Sequence, residues 1–152
     1  MEKRYTHSDH EERIYALWEQ SGAFMPSGKK VAKPYCIIMP PPNANDPLHI
    51  GHAMFVTVED ILIRYQRMRG RACLWLPGAD HAGIETQFVF EKKLRKQGKS
   101  RVDYDRESLY RMIWGYVQEN KGVATEQMKK LGASADWSRF TFTLDENVVR
   151  MV

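Results

Sequence analysis

Two histidines with a glycine between them form the motif with the clearest chemical meaning. They are His49 and His52 in Leu48-His49-Ile50-Gly51-His52-Ala53, which follows a short apolar run and a proline-rich turn. Residues three apart share one face of a helix, so both imidazoles can reach one phosphate, and the positive end of the helix also attracts an anion. Gly51 leaves room for a flat ring over its backbone. The motif predicts a nucleotide-binding turn.

Two other interpretations of the histidine pair remain open. Short motifs recur by chance, so His49 and His52 could be two surface histidines of a helix. Histidines at this spacing can also bind zinc, but the sequence offers no third ligand at a suitable spacing. We therefore predict no metal site in the protein itself.

A carboxylate lies at a second turn. Asp80 comes two residues after Leu74-Trp75-Leu76-Pro77-Gly78, a short apolar run that a proline and a glycine interrupt. The carboxylate could hold an ammonium group through a charge-assisted hydrogen bond. A surface turn aspartate instead bonds its own backbone, and on the residues alone this second interpretation is favoured.

The elements that must position these turns read as strand, helix, strand, helix. Tyr35 to Met39 is an apolar run suited to a buried parallel strand, and it ends at three prolines. Helical spacing runs from Leu48 to Gly70, with the apolar stripe Ala53, Met54, Val56, Ile61, Leu62, Tyr65 and Met68, and a second strand follows at 72–76. Such a βαβ unit has parallel strands, so the turns at 40–52 and 77–83 should meet at one sheet edge, where ligands bind.

Further elements flank this unit. Ser8 and Glu11 match a capping box before a helix that ends near Gly22. Helical patterns cover 84–96 and 105–131, the second with a possible interruption at 120–122, and alternation at 140–144 indicates a strand before a helix that starts at 145–147. The chain ends within an apolar segment, which suggests a fragment.

Composition narrows the class of protein. The 152 residues match roughly one domain, and the two cysteines form no C-x-x-C pair, which favours a reducing cytoplasm. We expect neither a membrane helix nor a secretory signal. The net charge of +4 is concentrated in the middle of the chain. Four arginines there could attract nucleic acid or complement a helix C-terminus, and the second role is favoured: Arg64, Arg67, Arg69 and Arg71.

Five segments together resemble the N-terminal part of the catalytic domain of valyl-tRNA synthetases, a family of class I aminoacyl-tRNA synthetases. The segments are Pro40-Pro41-Pro42-Asn43, Leu48-His49-Ile50-Gly51-His52-Ala53, Leu62-Ile63-Arg64-Tyr65-x-Arg67-Met68-x-Gly70, Leu74-Trp75-x-Pro77-Gly78-x-Asp80-His81-Ala82-Gly83-Ile84-x-Thr86-Gln87 and Leu131-Gly132-x-Ser134-x-Asp136-Trp137-Ser138-Arg139. The resemblance implies an α/β fold, the first half of a Rossmann-like nucleotide-binding domain. It also implies a helical extension at 1–33 before a half-domain at 34–152.

The resemblance implies an ATP-dependent ligase that activates valine as valyl-adenylate and transfers it to tRNA(Val), with Mg²⁺ accompanying ATP. It makes His49 and His52 catalytic and has them bind ATP together with Asn45 and Gly51. It assigns valine binding to Pro41, Pro42, Asn43 and Asp80. Regions outside this chain would bind most of the tRNA.

Some features depart from the family. Asn45-Asp46 stands where a Thr-Gly pair is common, with Pro47 suited to a first helical turn, and Glu85 stands where a small residue is frequent. No Lys-Met-Ser-Lys-Ser loop, editing domain or anticodon-binding bundle is recognisable. Two alternatives therefore stay beside the ligase: a truncated module that binds ATP or valine weakly, and a nucleotidyltransferase that uses the histidine turn on another substrate.

Overall fold

The computed structural model describes residues 5–28 and 33–151. The chain forms two compact units. The first consists of Met1–Met39, Ala53–Pro77 and Gln127–Phe140, and the second of Pro40–His52, Gly78–Glu126 and Thr141–Val152. The boundary expected between residues 33 and 34 stays a prediction. No helix in the described residues is long and apolar enough to cross a membrane.

The first unit contains the parallel strand pair that the sequence predicts. Strand β1 (Tyr35–Ile38) pairs with β2 (Cys73–Leu76), with Tyr35 opposite Cys73 and Ile38 opposite Leu76. Helix α2 (Ile50–Met68) connects them, so the βαβ unit is confirmed. The expected burial of β1 is wrong: Cys36 is exposed and Ile38 is 72% exposed. An apolar run indicates a strand, but it does not show whether a second layer covers both of its faces.

The predicted apolar stripe of α2 is wrong at its exposed members and confirmed at Val56. Val56 and Ile63 are its buried apolar residues, whereas Met54 is 68% exposed and Met68 is 80% exposed. The inward face of α2 also carries charged side chains, among them Asp60, Arg64 and Arg67. Each of them has hydrogen-bond partners there, which makes its partial burial possible. The predicted end of the helix is confirmed, since Gly70 adopts φ +75° and its N–H bonds the Arg67 carbonyl.

A network of hydrogen bonds fixes α2 to the segment that follows α4 (Arg106–Lys130). Asp60 Oδ2 accepts from Arg64 at 2.6 Å, and its Oδ1 accepts from the backbone N–H of Ser134 at 2.9 Å and from the Ser134 hydroxyl. Arg64 also donates to the Gly132 carbonyl, and Arg67 donates to the carbonyls of Phe24 and Ser134. Arg64 and Arg67 therefore hold this unit together.

The first helix, α1 (Glu11–Gln20), begins differently from the prediction. His7–Asp9 forms a 3₁₀ turn, and the Ser8 hydroxyl donates to Asp9 rather than capping the helix. The predicted capping box is thus wrong, because the extra turn moves Ser8 away from the free amides of the helix. Tyr15 donates to the Ala133 carbonyl and accepts from Trp137 Nε1, and burial raises the pKa of Tyr15 to about 12.

The second unit is built on a shorter parallel pair. Strand β3 (Gly78–Ala79) pairs with β4 (Thr141–Phe142), which is shorter than the predicted 140–144. Helix α3 (Gly83–Lys96) follows β3, and α5 (Glu146–Val149) follows β4. Helix α4 is continuous, so the expected interruption near 120–122 is wrong. Buried Asn120 donates its side-chain amide to the Tyr116 carbonyl and stays within the helix.

Candidate active site

The two predicted turns lie side by side in the second unit. The N–H of Asp80 donates to the Pro42 carbonyl at 2.9 Å, and the Asp80 carbonyl accepts from Ala44 at 2.7 Å. Asn43 and Asp80 thereby form a parallel bridge. The expectation that both turns share one edge is confirmed. The structure brings Pro42 and Asn43, expected at the amino-acid site, next to Asp80.

His49 lies just before α2 rather than within it. The helix begins at Ile50, and the His52 N–H donates to the His49 carbonyl at 2.9 Å. Pro47 is three positions before the helix, so its expected place in the first helical turn is wrong. The two imidazoles nevertheless lie together, with ring centroids 4.1 Å apart. They meet because the His49 ring folds back over the start of the helix.

Each ring uses Nδ1 to accept a backbone hydrogen bond. His49 Nδ1 accepts from the Gly51 N–H at 3.1 Å, and His52 Nδ1 accepts from the His49 N–H at 3.3 Å. A neutral ring that accepts at Nδ1 carries its proton on Nε2. Both rings are therefore set to donate through Nε2. Burial, together with the nearby His49 ring, lowers the pKa of His52, which favours this neutral form.

Gly51 makes room for the His49 ring. A Cβ at Gly51 would lie 2.9 Å from His49 Cε1 and 3.1 Å from Nδ1, so any larger residue would force this ring to move. From the sequence, Gly51 is interpreted as leaving room for a flat ring over its backbone. The flat ring that the structure places there is the imidazole of His49.

The two oxygens of Asp80 have different surroundings. Oδ1 accepts from the Ala82 N–H and from the Thr143 hydroxyl, each at 3.1 Å, and His81 Nδ1 lies 3.3 Å away. No hydrogen bond reaches Oδ2 from any residue that the structure describes. The side chain is 38% exposed. One oxygen thus bonds the local backbone, as a turn aspartate does, and the other is available to a ligand.

Two side chains that the sequence did not indicate form hydrogen bonds with the predicted site residues. Glu85 Oε2 accepts from the Asn43 side-chain amide at 2.8 Å, and the Tyr116 hydroxyl donates to the Asn45 carbonyl at 2.6 Å. Glu85 was noticed only as a departure from the family, and Tyr116 only as part of a helical stripe. Neither pattern indicates which segment of the chain the side chain would meet.

Pro41 is exposed and Pro42 is buried. The Cβ of Pro41 would lie 3.8 Å from a Cβ added at Gly78, so Pro41 lies beside the start of β3. The same added Cβ would lie 2.8 Å from the Thr141 carbonyl oxygen. This position therefore requires glycine, because β3 and β4 approach closely there.

The described residues contain no group of three histidine, cysteine or acidic side chains close enough to hold a metal ion. Asp136-Trp137, part of the resemblance, lies in the first unit. Asp136 is 2% exposed, and its oxygens accept from Ser138 and Arg139. Its partners make Asp136 a structural residue of that unit.

Comparisons with known proteins show the family to which the chain belongs. The family model for tRNA synthetases class I (I, L, M and V) matches residues 13–152. The chain is 53% identical over 142 residues to a chloroplastic/mitochondrial valine–tRNA ligase of Arabidopsis thaliana, covering 93% of this chain and 15% of that protein. It is 49% identical over 149 residues to valine–tRNA ligase of Caulobacter vibrioides (97% and 16%) and 45% identical over 153 residues to that of Treponema denticola (100% and 17%).

A solved structure shows the same fold. It is LeuRS of Agrobacterium radiobacter, in a ternary complex with tRNA and LeuAMS, with a TM-score of 0.75 and 22% sequence identity. The match covers 96% of this chain and 17% of LeuRS. The α/β fold with parallel strands, expected as the first half of a Rossmann-like domain, is confirmed. With its family model covering nearly the whole sequence, the chain belongs to the class I tRNA synthetases.

Proposed function

We propose that this chain is part of a valine–tRNA ligase, which joins valine to ATP as valyl-adenylate and then transfers the valyl group to tRNA(Val). The chain spans 15 to 17% of the curated relatives that it matches, so the complete reaction is proposed for the whole protein. The observation that carries the proposal is the histidine pair and a half-free carboxylate within one compact unit. Identity of 45 to 53% to three valine–tRNA ligases supports valine as the substrate.

The amino-acid end of the site is the carboxylate of Asp80. An ammonium group bonded to Oδ2 would complete the hydrogen bonding of this side chain without displacing any protein contact. Exposed Pro41 offers apolar surface beside the start of β3, and the carbonyl of buried Pro42 accepts from the Asp80 N–H. Asn43 is held next to Asp80 by the bridge between the two turns. A half-exposed carboxylate can hold a cation such as an ammonium group through a charge-assisted hydrogen bond.

The nucleotide end of the site is the histidine pair. His49 and His52 would donate through Nε2 to phosphate oxygens of ATP, where negative charge develops as the valine carboxylate attacks the α-phosphate. Losing one such preorganised donor costs roughly 3 kcal/mol, or about 100-fold in rate. Gly51 would lie close to the nucleotide, with Asn45 beside it. Mg²⁺ would accompany the phosphates of ATP.

The test is valine-dependent exchange of labelled pyrophosphate into ATP, using the protein encoded by the complete gene. Activation alone supports exchange, so the assay needs no tRNA. His49→Ala and Asp80→Ala are the variants. Their matched controls are His7→Ala and Glu107→Ala, which remove an exposed imidazole and an exposed carboxylate. Isoleucine and threonine serve as competitors, because threonine nearly matches valine in shape.

We expect exchange that prefers valine, falls at least about 100-fold in both site variants and stays unchanged in the controls. Pyrophosphate exchange that requires a carboxylic acid other than valine, or that requires no carboxylic acid, would instead favour the nucleotidyltransferase. ATP binding without exchange would favour a binding module. The cytoplasm stays the predicted location of the protein.

A further inference from the structure

Thr143 connects three groups at the amino-acid end of the site. Its hydroxyl oxygen lies 2.9 Å from the backbone nitrogen of His81, 2.7 Å from His81 Nδ1 and 3.1 Å from Asp80 Oδ1. Thr143 follows β4 directly, and its own N–H donates to the Ala79 carbonyl at 3.2 Å. The side chain is therefore attached to a paired segment of backbone rather than to a free loop.

The proton count fixes the direction of these hydrogen bonds. A hydroxyl has one proton to donate and two lone pairs that accept. The His81 backbone N–H occupies one lone pair. If His81 carries its proton on Nδ1, the ring occupies the other, and the Thr143 proton goes to Asp80. The opposite tautomer would draw that proton to the ring and leave two oxygen lone pairs facing each other at 3.1 Å. The first arrangement satisfies every group.

This arrangement restrains the Asp80 carboxylate. Asp80 Oδ1 accepts from the N–H of Ala82 in its own turn and from the hydroxyl of Thr143 after β4. Rotation of the Asp80 side chain would therefore break two hydrogen bonds. Oδ2, to which no described residue donates a hydrogen bond, is thereby kept in one orientation. We propose that Thr143 is a positioning residue, which holds Asp80 so that Oδ2 faces the ammonium group of the amino-acid substrate. This inference rests on the proposed function.

The experiment uses pyrophosphate exchange by the protein from the complete gene. Thr143→Val removes the hydroxyl and keeps the shape, and Thr143→Ser keeps the hydroxyl. The matched control is Thr125→Val, which removes a half-buried threonine hydroxyl that bonds the Lys121 carbonyl in its own helix. Two competitive inhibitors isolate the ammonium contact: valinol, which has the amino group, and isoamyl alcohol, which lacks it.

We expect Thr143→Val to raise the KM for valine roughly tenfold, the effect of losing one hydrogen bond to a charged group, with the KM for ATP unchanged. Inhibition by valinol should weaken to a similar degree, while inhibition by isoamyl alcohol stays the same. Thr143→Ser should restore the wild-type KM, and Thr125→Val should match the wild type.

Three results would overturn the inference. The first is a wild-type KM for valine in Thr143→Val, and the second is equal weakening of both inhibitors, which would indicate general damage. The third is failure of Thr143→Ser to restore binding. In each case normal exchange by the wild type would leave the proposed function standing. Absence of valine-dependent exchange in the wild type would overturn the proposed function and this inference together.

Discussion

Asp60 in the first unit and Asp80 in the second are both turned toward polar partners, yet their surroundings differ. Asp60 is 16% exposed, and both of its oxygens accept hydrogen bonds from Arg64 or Ser134. Asp80 is 38% exposed, and its hydrogen bonds from described residues reach one oxygen. Whether donors reach both oxygens or only one therefore separates a carboxylate that stabilises the fold from one that is available to a ligand.

Asp136 supports the same distinction. It belongs to the family resemblance as much as Asp80 does, but it is buried and its oxygens bond Ser138 and Arg139. Its backbone N–H donates to the Trp75 carbonyl and so ties this segment to β2. A motif residue of a family can thus be structural, and its hydrogen-bond partners show which role it has.

The largest expected effect separates the two aspartates by stability. Asp60→Ala should lower the free energy of unfolding by about 3 kcal/mol, because Arg64 and the backbone of Ser134 lose their acceptor in a partly buried place. Asp80→Ala should lower it by less than about 1 kcal/mol, since water can replace an exposed partner. Urea unfolding followed by tryptophan fluorescence measures both. Equal losses would break the comparison.

The next largest effect concerns the backbone beside Asp80, where β3 and β4 pair. Gly78→Ala should destabilise the protein by about 2 kcal/mol, because the added Cβ would lie 2.8 Å from the Thr141 carbonyl oxygen and would force β3 and β4 apart. The KM for valine should rise as well, since Thr143 would move away from Asp80. Gly115→Ala is the control: open space surrounds that position in α4, and alanine should stabilise the helix by about 0.5 kcal/mol or more. A Gly78→Ala protein with wild-type stability would contradict the close approach.

A smaller effect concerns Glu59 in the first unit, whose carboxylate accepts from Trp75 Nε1 at 2.9 Å. Burial raises the pKa of Glu59, and the hydrogen bond from Trp75 offsets this only in part. The folded state therefore binds this proton more tightly than the unfolded state. Stability is lost as the pH rises from the unfolded pKa through the folded one.

Glu59→Gln keeps an acceptor for Trp75 and removes the charge. It should stabilise the protein at pH 7 by less than about 1 kcal/mol, because solvent screens a partly exposed group. Below the unfolded pKa the variant and the wild type should have the same stability, since both side chains are then neutral. Urea midpoints measured across this range test the sign, and a variant that is less stable at pH 7 would show that the charged form is favoured.

The smallest expected effect on stability comes from the protonation of His52. Its pKa lies below the ordinary value of 6.5, chiefly because of burial and also because His49 is close. The unfolded chain is thus protonated first as the pH falls below 6.5, and the folded state loses stability until it is protonated too. Nuclear magnetic resonance of the ring proton should give a midpoint below 6.5. In His49→Ala the midpoint should rise, and a lower midpoint in that variant would contradict the assigned cause.

Sequence patterns predicted the elements better than their environments. The runs at 35–39 and 72–76 gave two strands in the expected parallel order, and the histidine and aspartate turns met as the βαβ topology requires. The same patterns failed for Ile38 and Met54, which are apolar and exposed. Periodicity records which residues share a face, but burial depends on which other segments cover that face.

The site shows the same division. His49 and His52 were predicted because their residue types and spacing carry chemistry, whereas Asp80 was assigned to valine binding by the family resemblance. Thr143 was predicted only as part of a strand, since it lies 63 residues after Asp80 and its role arises from a contact.

The sequence by itself determined the family, the order of the elements and the groups that could bind an anion and a cation. Those properties depend on residue identity and short spacing, which the chain carries locally. Only the tertiary structure decided that both oxygens of Asp60 and of Asp136 accept hydrogen bonds within the fold, while one oxygen of Asp80 is left for a ligand. The reason is physical: a carboxylate is satisfied by donors that segments distant in sequence bring to it, and these donors are fixed only when the chain folds.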